Sequence, residues 1–117
     1  MTDNELLELA AKAAGLGVFW GHPSSDCYDH NKLYLEQDKV MYTAREWNPL
    51  KNDGDALRLA IKLGISILSG TYKVVCEIIP QEDSGNIAVH EQYGSDEYAA
   101  TRRAIVRAAA EIGMDMK

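Results

Sequence analysis

From Ser95 to Gly113, the residues Tyr98, Thr101, Ile105, Ala108 and Ile112 recur at alternating steps of three and four. That spacing commits the stretch to an amphipathic α-helix, with Arg102, Arg103, Arg107 and Glu111 on its solvated face. Ser95-Asp96-Glu97 supplies a cap and an acidic first turn, and Gly113 is expected to close the helix. Two further helices carry similar signs. Thr2 and Glu5 form a capping box ahead of Leu6, Leu9, Ala10, Ala13 and Ala14, with Gly15 and Gly17 as the stop. Asn52-Asp53-Gly54-Asp55 caps a helix from Asp53 to Leu63 that Pro49 keeps from extending backward. Its expected packing stripe is Leu57, Ala60, Ile61 and Gly64, with Arg58 and Lys62 turned to water.

The segments between read as strands. Val18-Phe19-Trp20 is short and bulky, and Lys32–Leu35 with Lys39–Thr43 suggests a hairpin around Glu36-Gln37-Asp38. Ile65–Leu68, Tyr72–Ile79 and Ile87–Gln92 form a second group, separated by Ser69-Gly70 and by the turn at 81–86, with Pro80 ending its strand or lying on an edge. The order is α-β-β-β-α-β-β-β-α, and each helix is expected to stop at a glycine followed by an apolar residue. Short connections favour antiparallel pairing. Tyr72–Ile79 is apolar on both alternating faces, which asks for cover on both. The expected fold is therefore α+β: an α/β/α sandwich with a mainly antiparallel central sheet and three helices, one domain over residues 1–117.

The net charge of −6 argues against nucleic acid or anionic lipid as the partner. No apolar run approaches the roughly 18 residues of a membrane span, and the acidic Met1-Thr2-Asp3-Asn4-Glu5 is unlike a secretory signal. Cys27 and Cys76, with no CxxC pair, read as reduced thiols of a cytoplasmic protein.

Chemistry is sparsely marked. His22, Cys27 and His30, with Asp26 or Asp29, offer zinc-ligand types, but the H-x4-C-x2-H spacing matches no standard motif, and a turn-rich loop explains it as well. Cys27 near either histidine has the parts of a thiol–imidazole pair without a helix N-terminus to lower its pKa. No nucleophile elbow, phosphate loop or dinucleotide fingerprint is present, and no cofactor is expected. The acid pairs Asp53/Asp55, Glu82/Asp83 and Asp96/Glu97 are explained by caps and turns, and His90 by a strand position. Arg102, Arg103 and Arg107 make a basic stripe suited to an acidic partner, or an ordinary solvated helix face. Tyr34 and Tyr42, on the expected hairpin, would anchor an interface if exposed. The expected protein contacts are thus Tyr34, Tyr42, Glu82, Asp83, Arg102, Arg103 and Arg107.

Trp47-Asn48-Pro49-Leu50-Lys51-Asn52-Asp53-Gly54-Asp55-Ala56-Leu57-Arg58-Leu59-Ala60, Tyr98-Ala99-Ala100-Thr101-Arg102-Arg103-Ala104-Ile105-Val106-Arg107-Ala108-Ala109-Ala110-Glu111-Ile112-Gly113 and the opening Leu6-Leu7-Glu8-Leu9-Ala10-Ala11-Lys12-Ala13-Ala14-Gly15 carry a resemblance. In them the chain resembles small proteins encoded by phages and prophages of enteric bacteria, the phage α/β/α-sandwich domain group. The matched segments are helix and cap elements, so the resemblance implies fold more than activity and brings no catalytic residue. It also implies a non-enzymatic accessory protein in the cytoplasm of a bacterial host, binding a host or phage protein and inhibiting host defence in the manner of an anti-CRISPR. Two other readings stand beside it: a small metal- or thiol-dependent enzyme using His22, Cys27 and His30, and a self-associating structural protein forming a homodimer or larger assembly.

Overall fold

The computed structural model of the chain describes residues 1–21, 31–35, 45–78 and 87–116. Its elements are α1 (Asp3–Ala14), β1 (Val18–Trp20), β2 (Leu33–Leu35), β3 (Arg45–Glu46), α2 (Asp53–Leu63), β4 (Ser66–Ser69), β5 (Lys73–Ile78), β6 (Ile87–Gln92) and α3 (Glu97–Asp115). The fold is α+β, with three helices and antiparallel strands in the expected order. The strands divide into two three-stranded sheets, β1-β2-β3 and β4-β5-β6. In the first, Phe19 stands opposite Tyr34, and Leu35 opposite Arg45. The expected strand at 39–43 and the turn at 81–86 lie outside the described residues.

The helix starts follow local chemistry. Thr2 and Glu5 close the capping box of α1, Asn52 Oδ1 accepts the Asp55 N–H at 2.9 Å, and Asp96 Oδ1 accepts from Tyr98 N and Ala99 N. Gly15 and Gly64 end α1 and α2 at φ 68°, a left-handed turn that costs glycine no Cβ clash. Gly17 is not left-handed. Gly113 departs from the expected stop, because α3 runs on to Asp115. A Cβ at Gly113 would land on the Leu9 carbonyl oxygen of α1, so this glycine serves close helix approach rather than termination.

The core centres on α3, which buries Ala100, Ala104, Ile105, Val106, Ala108, Ala109 and Ala110 on nearly all sides, as a central helix must. It packs against α1, α2, β5 and β6. Val74, Cys76, Ile78 and Val89 close the core from the second sheet. The other face of that sheet differs from expectation. Lys73, Leu68, Ala88, His90 and Gln92 are exposed there, with Val75 and Glu77 half-buried, so no helix covers it among the described residues. Its apolar content is too small to require cover. Tyr72, at the start of the expected strand, precedes β5 and is exposed, and Ile79 lies outside the described residues.

Candidate functional site

The rotation of α2 decides what the molecule shows to solvent. This helix buries Asp55, Ala56, Leu59 and Ala60, not the expected stripe of Leu57, Ala60, Ile61 and Gly64. Leu57 is 54% exposed and Ile61 71%. The cause is polar. Asp55, only 2% exposed, accepts Arg45 Nη1 at 2.9 Å and Arg58 Nη2 at 2.8 Å on Oδ1, and the Asn48 N–H at 3.0 Å on Oδ2. Burial pushes its carboxyl pKa up, but the Asn48 N–H and the two guanidiniums outweigh burial and hold it below the ordinary value of 3.8. A carboxylate so fixed sets the angle of the whole helix. Leu57 and Ile61 are left outward.

That rotation opens a groove of 510 Å³ between α2, α3 and β4. Ala56, Leu57, Ile67, Tyr93, Tyr98 and Ile105 supply its apolar surface, and Tyr98 is 67% exposed. Among the described residues β4 is an edge strand, paired only with β5. Asp53, Glu97 and Arg102 supply the charges of the groove. Arg102 donates from Nε to the Leu50 carbonyl at 2.9 Å and from Nη1 to Asp53 at 2.7 Å, so this cation is neutralised. Glu97 has no ion-pair partner among the described residues.

The residues singled out from sequence are scattered. Tyr34 is buried and stacked on Phe19, with ring centroids 5.7 Å apart, and it presents almost no surface to a partner. Each arginine of the basic stripe ties α3 to another element: Arg102 to Asp53 of α2, Arg103 to Asp3 of α1 at 3.1 Å, and Arg107 to Glu91 of β6. Only Arg102 reaches the groove. Tyr42, Glu82 and Asp83 lie outside the described residues, as do His22, Cys27 and His30. Cys76 is fully buried, and burial pushes its thiol up to about 11, which leaves little thiolate at neutral pH. Among the described residues, no cluster of His, Cys, Asp and Glu is placed to hold a metal ion, and no helix is long and apolar enough to cross a membrane.

Leu57, Tyr98 and the Asp55 cluster escaped the sequence reading. Leu57 and Tyr98 fit the apolar period of their helices, and Asp55 sits where a first-turn acid needs no further reason. The one available signal was the surplus of apolar positions on α2, more than a single buried face can hold. No protein family, curated protein or solved structure matches this chain.

Proposed function

We propose that the chain is a non-enzymatic accessory protein that acts by binding another protein, and that the partner docks in the groove between α2, α3 and β4. The observation that carries this reading is the exposure of Leu57 and Tyr98 together on the walls of one concave apolar surface. Large apolar side chains gathered in a groove cost free energy in water and repay it when a partner covers them. The occupant is a segment bearing an apolar anchor beside a basic residue. Its cation meets Glu97, which no described residue neutralises, and approaches a chain of net charge −6.

Within this reading the protein belongs to a phage or prophage, works in the bacterial cytoplasm and restrains a host protein, with components of host defence as its targets. The support for that narrower statement is the resemblance of the three helical segments to phage-encoded proteins. The test is affinity capture from an enteric bacterial lysate, using the wild type and a Leu57→Glu/Tyr98→Glu variant of unchanged melting temperature. The reading predicts a partner held by the wild type and lost from the variant. Equal capture by both would remove the groove from the account.

A further inference from the structure

On the other side of α2, the same buried carboxylate organises a second cavity. Ala14, Leu16, Leu35, Trp47 and Leu59 line a pocket of 200 Å³, and Arg45, Arg58 and Lys62 border it. Asp55 holds the two guanidiniums, accepting from one Nη nitrogen of each. Arginine has five N–H donors, so both keep donors for a further acceptor. Their side chains remain 44% and 63% exposed. Gly54 leaves room for the Arg58 guanidinium, since a Cβ there would meet its nitrogens at 3.2 and 3.3 Å. Lys62 has no ion-pair partner among the described residues. Three cations thus border an apolar floor, two of them held by one carboxylate, in a protein of net negative charge.

We infer that this pocket binds a compact organic anion, an oxyanion carried on a small apolar body, with Arg45, Arg58 and Lys62 on the oxyanion and Leu35, Trp47 and Leu59 around the body. A cavity of about 150 Å³ accommodates a benzene ring, so 200 Å³ suits one ring or a short branched chain. Guanidinium groups already held by a buried carboxylate lose little freedom when they grip a carboxylate or phosphate. The site does not depend on the groove reading.

The test is a nuclear magnetic resonance titration of the intact chain with benzoate, phenyl phosphate and uncharged benzamide. Binding predicts saturable shifts at the Trp47 and Leu59 amides with one or both anions, and much weaker shifts with benzamide. Whichever anion binds more tightly identifies the ligand as carboxylate or phosphate monoester. Lys62→Gln, which breaks no ion pair among the described residues, should weaken binding roughly tenfold, as loss of a charged hydrogen bond does. Arg58→Gln should weaken it at least as much. No saturable shift with either anion, equal response to benzamide, or indifference to Lys62→Gln would overturn the proposal.

Discussion

Asp55 is where one side chain decides the most. It accepts three hydrogen bonds, from Arg45, Arg58 and the Asn48 amide, and ties α2 to β3 and to the turn between them. Asp55→Ala would strip those acceptors from the interior. Because both guanidiniums can rehydrate at the surface, the expected loss is about 2 kcal/mol in urea denaturation. The folded pKa lies below 3.8, so the stabilisation is complete above that value and disappears as pH falls through the lower, folded one. Acid titration of stability should therefore show a steeper decline below about pH 4 in the wild type than in Asp55→Asn, and parallel curves would refute this role. Nothing in the sequence separates Asp55 from Asp53. Both follow an N-cap, yet one is buried and the other pairs at the surface with Arg102.

At the scale of elements, the caps were legible because their chemistry is local: Thr2 with Glu5, Asn52 with Asp55, and Asp96 with the amides of Tyr98 and Ala99. The rotation of α2 was not. Its sequence offers two apolar stripes that share Ala60, one with Ala56 and Leu59 and the other with Leu57 and Ile61, and the buried carboxylate chooses between them. Gly113 misled for a related reason. A glycine late in a helix reads as a stop, but its close approach is to Leu9, in a helix more than a hundred residues earlier. Gly113→Ala should accordingly destabilise the protein by about 1–3 kcal/mol through overpacking of α1 against α3. An alanine variant as stable as the wild type in thermal melting would contradict that account, since alanine is otherwise the better helix former.

For the molecule as a whole, the pattern of helices and strands fixed the α+β class, while the division of the strands into two sheets depended on long-range pairing that periodicity does not carry. The same limit applies to the groove. It arises from α2, α3 and β4 together, with Leu57, Ile67 and Tyr98 widely separated in the chain. Tyr34 shows the converse: an aromatic that looked available on a short strand is taken up by stacking on Phe19.

The orientation of α2 underlies both the groove and the cationic pocket, and thiol labelling reads it most directly. Single cysteines placed at Leu57, Leu59 and Ile61 would be introduced into a Cys27→Ser background that retains the buried Cys76. The structure predicts rapid modification at positions 57 and 61 in the native protein, with position 59 slowed to the rate at which the fold opens. Fast labelling at 59 with protection at 57 and 61 would show the helix turned the other way and would remove the groove on which the proposed binding function stands.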